Sequence, residues 1–359
     1  MRMIAVTGAS GGHIFPALAF LEEMGEKRPD IRTLLVLPDS LVGTSADFGG
    51  QEVKFIPIGA LHGGARALPS AWRLCLGSAR SLELLLAYKP DLVVGFGSLS
   101  CVPLMLSAWM LRIPTMLHEQ NVVPGKANRF LGRFVDKVAV SYEESKGLFP
   151  VPRRTVFTGN PLRKQMRRIP KDEARAYLGL GPGRFTVLVM GGSQGARSIN
   201  RLFPAAAAAL APEKAPQVIH ISGTAQFAEV TAAYAAAGIT AKVYPFLTRM
   251  ECAYSAADAA VCRAGAITCA ELAAYALPAL VIPYPFANGH QSRNAAVLER
   301  AGCCRIVKDG DLDAAEIGSF LNCCQDGGQF LSRMRSAFPA VDRRDAPARL
   351  ARAALEACA

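Results

Sequence analysis

Two glycine-rich turns in this sequence could each hold an anion at the start of a helix. The first reads Thr7-Gly8-Ala9-Ser10-Gly11-Gly12-His13 and the second Gly191-Gly192-Ser193-Gln194-Gly195. Small residues let backbone N–H groups approach a phosphate where the helix dipole is positive. Ser10 and Ser193 add hydroxyl donors. Neither turn is a P-loop, because no Gly-Lys-Ser/Thr follows, and neither matches GxGxxG with an acidic residue after the next strand. His13 stands where the first turn becomes a helix, so its imidazole could take a proton near neutral pH.

Three further clusters carry hydrogen-bonding groups. Leu117-His118-Glu119-Gln120-Asn121 places four polar residues after an apolar run. Cys262-Arg263-Ala264-Gly265 continues to Glu271, with Arg263 at a strand tip and Glu271 on the following helix, where a carboxylate can accept both hydroxyls of a ribose. Pro283 to Ala295, including His290, Gln291 and Asn294, is a polar loop entering a helix and suits a polyhydroxylated ligand. Each feature alone also fits an ordinary turn, a solvated helix face or a structural histidine. Only the set is specific.

Positioning these groups requires two α/β halves. Short Val, Ile and Leu runs at 4–6, 34–37, 55–58, 92–94, 115–117 and 138–140 alternate with helical patterns and read as buried parallel strands. The pattern restarts at 186–189, 218–221, 242–244, 259–261, 280–282 and 305–307. Composition puts the boundary at Gly159-Asn160-Pro161-Leu162-Arg163 and the basic stretch after it. The expected division is 1–158, 159–340 and a closing helix at 341–359 that packs back on the first half. Ligands of open parallel sheets bind beyond the carboxyl ends of the strands, so both turns are expected to face a cleft between the halves.

In this order, the segments resemble the MurG family of peptidoglycan glycosyltransferases. The matching residues are Gly11-Gly12-His13-Ile14-Phe15-Pro16-Ala17-Leu18, Gly95-Phe96-Gly97, Ile113-Pro114 with His118-Glu119-Gln120-Asn121, Gly159 to Arg163, Gly191 to Ala196, Arg263 to Ala266 with Glu271, and His290-Gln291 with Asn294-Ala295. They span nearly the whole chain. The resemblance implies an α/β fold of the GT-B type, with two Rossmann-like doubly wound domains. It implies an inverting transfer of N-acetylglucosamine from UDP-N-acetylglucosamine to the 4-hydroxyl of the N-acetylmuramyl unit of lipid I, giving lipid II.

Roles follow residue by residue from that resemblance. Phe246 and Leu247 would sit by the uracil, and Glu271 would hold the ribose. Ser193, Arg163 and Arg263 would face the diphosphate, and His290 and Gln291 the donor sugar. Ser10, Gly11, Gly12 and Asn121 complete the donor set, while His13, Gln120 and Asn121 would meet the acceptor. His13 is the first choice of general base and Glu119 the second. Preorganised donors would stabilise the departing diphosphate; the sequence is read as holding no paired-carboxylate Asp-x-Asp motif, and neither metal nor cofactor is implied. Leu99 stands where the family usually has an aromatic residue.

Bulk properties agree with this reading. The 359 residues suffice for two cores, and with 51% hydrophobic and 19% charged residues the chain should fold. A formal charge of +11 favours an anionic partner. No aromatic-basic motif supports nucleic acid. Ten cysteines without a CxxC pair read as reduced thiols. No leader is read before the first turn, and the most apolar run, 101–111, is too short to span a bilayer. The expected location is peripheral, on the cytoplasmic face of a bacterial membrane. Basic and apolar residues interleaved over 66–80 are the candidate contact with anionic lipid, and other cell-wall synthesis proteins are possible partners.

Overall fold

The computed structural model describes residues 1–43, 48–57, 67–192, 195–286 and 289–358, over 67–73 by backbone alone. The chain divides into two units. Met1–Lys164 and Arg343–Ala359 form the first, and Gln165–Asp342 the second.

In the first unit, seven strands form one parallel sheet: β1 (Arg2–Val6), β2 (Arg32–Pro38), β3 (Val53–Ile56), β4 (Leu92–Gly95), β5 (Thr115–Glu119), β6 (Lys137–Val140) and β7 (Thr155–Phe157). Their order is β3-β2-β1-β4-β5-β6-β7. Side chains alternate across the sheet, so both faces need cover. On one face Ile4, Val6, Val93 and Leu117 pack with Leu84, Leu85, Leu104 and Met105. On the other, Met3, Ala5, Val94 and Met116 pack with Leu18, Phe20 and Leu21 of the helix Gly11–Lys27, and with Leu350 and Ala354 of the closing helix Ala346–Ala357. The C-terminal end of the sequence therefore completes the first core.

Six parallel strands build the second unit: β8 (Thr186–Met190), β9 (Gln217–Ile221), β10 (Ala241–Tyr244), β11 (Ala259–Cys262), β12 (Ala279–Val281) and β13 (Cys304–Ile306), in the order β10-β9-β8-β11-β12-β13. Val187, Val189, Val218, Val261 and Leu280 pack against Ile199, Phe203, Ile317 and Phe320. In both sheets the strand order reverses beside the first strand of the unit, at β1/β4 and at β8/β11. Such switch points open a crevice at the strands' carboxyl ends.

The structure differs from the sequence reading in three places. The strand expected at 55–58 begins earlier, at Val53, and residue 58 lies outside the described residues. Strand β7 was not anticipated; Thr155, Val156 and Phe157 are only partly buried on the sheet edge and make no continuous apolar run. The division between units falls after Lys164 rather than after 158. The intervening residues are tied to the first unit: Gly159 N–H donates to Val140 O (3.3 Å), Lys164 N–H donates to Glu22 Oε2 (3.0 Å), and the Lys164 ammonium pairs with Glu26.

Candidate active site

At the β1/β4 switch point, the first glycine-rich turn lies against Gly97-Ser98. Ser10 is the N-cap of the helix Gly11–Lys27, yet its hydroxyl caps no backbone N–H. It is bonded instead to His13 Nδ1 at 2.8 Å. Gly97, with φ +88°, lets the backbone pass close to the imidazole: a Cβ there would stand 3.3 Å from both His13 Nε2 and Asn128 Nδ2. Burial lowers the His13 pKa to about 4, well below the near-neutral value expected from the sequence, so the ring is neutral at pH 7. When Nδ1–H donates to Ser10, Nε2 carries the lone pair.

His118 and Glu119 belong to β5 itself, and both are buried. Gln120 donates its amide to Phe96 O (3.0 Å) and His118 Nδ1 (3.2 Å). His118 is thereby set with its proton on Nε2, which donates to Gly159 O at 3.2 Å. Burial holds its pKa down at about 4, against the opposing effect of that carbonyl. Because Gln120 is 2% exposed and commits its amide inward, its expected contact with the acceptor is replaced by an internal one.

Glu119 is similarly committed. Its Oε1 accepts from the N–H (2.9 Å) and side-chain amide (3.2 Å) of Asn121, and its Oε2 accepts from Gly125 N–H (3.0 Å) and Asn128 Nδ2 (2.9 Å). A carboxylate holding four donors shapes the loop after β5 and is badly placed to take a proton from a substrate. Sequence reasoning passed over Asn128. It is 3% exposed in the short helix Lys126–Leu131, its Nδ2 is held by Glu119, and its Oδ1 has no partner among the described residues.

Arg163 also lies in the first unit, its guanidinium 4.3 Å from the centre of the Phe15 ring. Ser10, Gly11, Gly12, His13, Glu119, Gln120, Asn121 and Arg163 thus belong to one unit, and the remaining described candidates to the other. Ser193 lies outside the described residues.

In the second unit the candidates stand at the carboxyl ends of β8, β10, β11 and β12, along one edge of the sheet. Gly195 has φ +74°, and a Cβ there would overlap the Ser222 carbonyl, which fixes the second turn as a glycine site. Phe246 follows β10 and is 62% exposed, with Leu247 half-buried beside it. Glu271 Oε2 accepts from Tyr254 OH at 2.7 Å. His290 is the first residue of the helix His290–Arg300. Gln291 Oε1 accepts from Ala264 N–H (3.1 Å) and Tyr284 N–H (2.9 Å), which orients the side-chain amide and makes Nε2 its outward group.

Arg263 follows β11 and is buried. Its Nη1 meets Asp309 Oδ1 at 2.6 Å, and its Nη2 donates to Ser198 Oγ at 3.2 Å. Ser198 in turn donates to Asp309 Oδ1 at 2.5 Å. Asp309 and Asp311 have the Asp-x-Asp spacing that the sequence reading did not count. Asp309 serves as counter-ion to Arg263, on a guanidinium expected to face diphosphate.

The sequence matches the glycosyltransferase family 28 N-terminal domain over residues 3–140 and the C-terminal domain of that family over 186–350. A UDP-N-acetylglucosamine–N-acetylmuramyl-(pentapeptide) pyrophosphoryl-undecaprenol N-acetylglucosamine transferase of Caldanaerobacter subterraneus subsp. tengcongensis is 33% identical over 356 residues, covering 96% of this chain and 97% of the relative. The protein of the same description from Desulforudis audaxviator is 34% identical over 364 residues, covering 96% and 95%. Among solved structures, Acinetobacter baumannii MurG shares the fold with a TM-score of 0.75 at 24% identity, over 99% of this chain and 100% of that one.

Proposed function

The chain belongs to glycosyltransferase family 28, in the line of its UDP-N-acetylglucosamine–N-acetylmuramyl-(pentapeptide) pyrophosphoryl-undecaprenol N-acetylglucosamine transferases, and from that premise we propose how its residues divide one reaction. The enzyme is a UDP-sugar-dependent glycosyltransferase of GT-B fold that moves N-acetylglucosamine from UDP to lipid I, giving lipid II. The acceptor's 4-hydroxyl oxygen bonds to the anomeric carbon, the bond from that carbon to the UDP oxygen breaks, and the electron pair leaves on the diphosphate. One proton must be removed from the attacking hydroxyl.

His13 takes that proton. The observation that carries this role is the Ser10–His13 pair beside Gly97, which directs a neutral imidazole's Nε2 toward the loops after β4 and β5. Asn128, buried behind the loop after β5, holds the Glu119 carboxylate through its Nδ2. Glu119 positions Asn121 and Asn128 without taking the proton. In the second unit, Phe246 and Leu247 hold the uracil, Glu271 the ribose, and Gln291 Nε2 donates to a hydroxyl of the donor sugar. The second turn, through Ser193 and its backbone, takes the diphosphate together with Arg263. His290, at a helix start, lies beside the sugar.

Replacement of His13 tests the assignment. His13→Ala should reduce turnover by about 10² to 10⁴ while UDP binding changes less than about twofold, because a positioned base acts on the chemical step alone. Turnover within about tenfold of the parent would remove His13 from the role of base.

Membrane association belongs to the same reading, since the acceptor carries a polyprenyl chain. The anticipated contact at 66–80 falls partly outside the described residues. A second patch supports it: Trp109 (45% exposed), Met110 (68%) and Phe130 (41%) lie on the first unit with Phe134, whose ring centre is 5.0 Å from that of Trp109 and 5.3 Å from that of Phe130. Exposed Arg112, Lys126, Arg129 and Arg133 accompany these residues in sequence. Apolar groups with a basic rim suit the anionic surface of the membrane's cytoplasmic face.

A further inference from the structure

Glu271, the residue given above to the ribose, does not depend on its own helix alone for its position. Tyr254 lies in the helix Met250–Ala256, is 2% exposed, and donates its phenol proton to Glu271 Oε2 at 2.7 Å. Its ring stacks on Tyr275, with centroids 5.0 Å apart and planes 25° from parallel. Its hydroxyl is also 3.7 Å from Sδ of Met190, the last residue of β8. Three elements therefore fix one phenol, and the phenol fixes one carboxylate.

We propose that Tyr254 is a positioning residue for nucleoside recognition: its hydroxyl sets the Glu271 carboxylate to favour a ribose over a 2′-deoxyribose. The inference rests on the assignment of Glu271 to the ribose. A glutamate side chain loses rotamer freedom when it binds a ligand, and a charge-assisted hydrogen bond made beforehand removes part of that cost. The phenol stays a donor, because burial, and after it the Glu271 charge, raise the Tyr254 pKa well above its usual value. Tyr275 supplies only its ring; its hydroxyl has no partner among the described residues.

Calorimetric titration of the full chain with UDP and with 2′-deoxy-UDP reads the effect. Tyr254→Phe keeps the ring stack and loses the hydroxyl, so the preference for UDP over 2′-deoxy-UDP should shrink about tenfold, the size of a hydrogen bond to a charged group. Tyr275→Phe should leave the preference unchanged. A folded Tyr254→Phe protein that retains the full preference overturns the proposal. Glu271→Gln separates the two layers of argument: preference kept in that variant defeats the ribose assignment, whereas preference lost there and kept in Tyr254→Phe defeats only the role of Tyr254. Where Tyr254→Phe does not fold, NMR of the UDP-bound parent decides. A downfield tyrosine hydroxyl proton that vanishes in Glu271→Ala supports the proposal, and one unaffected by Glu271→Ala overturns it.

Discussion

Gln291 enters the donor site already committed on one side. Ala264 and Tyr284 N–H groups occupy its Oε1, so only Nε2 can serve a sugar hydroxyl, and it can serve only as a donor. Gln291→Glu retains the two accepted bonds and loses the donor. UDP-N-acetylglucosamine should then bind about tenfold more weakly, while UDP, which lacks the sugar, binds as before. Calorimetry on the two ligands checks this, and an equal loss for both would show that the substitution had disturbed the turn instead. The types of the site residues were legible in the sequence, but their directions were not. Gln120 and Gln291 look alike in the chain, and only the fold turns one inward to Phe96 and the other outward. Asn128 and Tyr254 carried no local signal, because each matters through a carboxylate brought to it by folding.

At the scale of elements, the parallel strands announced themselves as short runs of Val, Ile and Leu, since a strand buried on both faces has no polar side to show. Strand β7 was hidden because an edge strand of three half-buried residues has no such run. The boundary was misplaced by the same kind of blindness: Gly159 to Lys164 reads as a linker in composition, while His118, Val140 and Glu22 tie it to the first unit. The helix Val102–Met110 ends at Trp109 and Met110, which hydrophobicity alone would have placed in a core. Their exposure gives a prediction. Trp109→Ser with Phe130→Ser should weaken binding to anionic vesicles at least about tenfold, because each buried aromatic contributes about 1.5–3 kcal/mol, without changing the turnover of a soluble acceptor analogue. Flotation that is unchanged, or insensitive to salt, would contradict the patch.

For the whole molecule, three neutral histidines set an acid limit. His13 and His118 in the first unit have pKa values lowered to about 4, and His220 in the second to about 3, each by burial. The unfolded chain protonates these groups near pH 6.5. Their stabilisation is thus complete above that value and is lost as the pH falls toward the folded pKa values. Each costs about 1.4 kcal/mol per pH unit within the window, so the first unit should lose about 3 kcal/mol per unit and the second about half as much. Both tryptophans, Trp72 and Trp109, belong to the first unit, so their fluorescence follows it. Urea midpoints read from tryptophan fluorescence should fall steeply from pH 6.5 to 5. Midpoints that stay level would show that these histidines are not buried as neutral rings.

The central claim is that both substrates' chemistry is present in one chain, and one incubation tests it. Purified protein is given labelled UDP-N-acetylglucosamine with and without a lipid I analogue, and the products are separated. The expected result is a labelled disaccharide on the analogue and free UDP, both dependent on the acceptor. Conversion of the donor to an isomer without acceptor, or no disaccharide with acceptor present, would contradict the account.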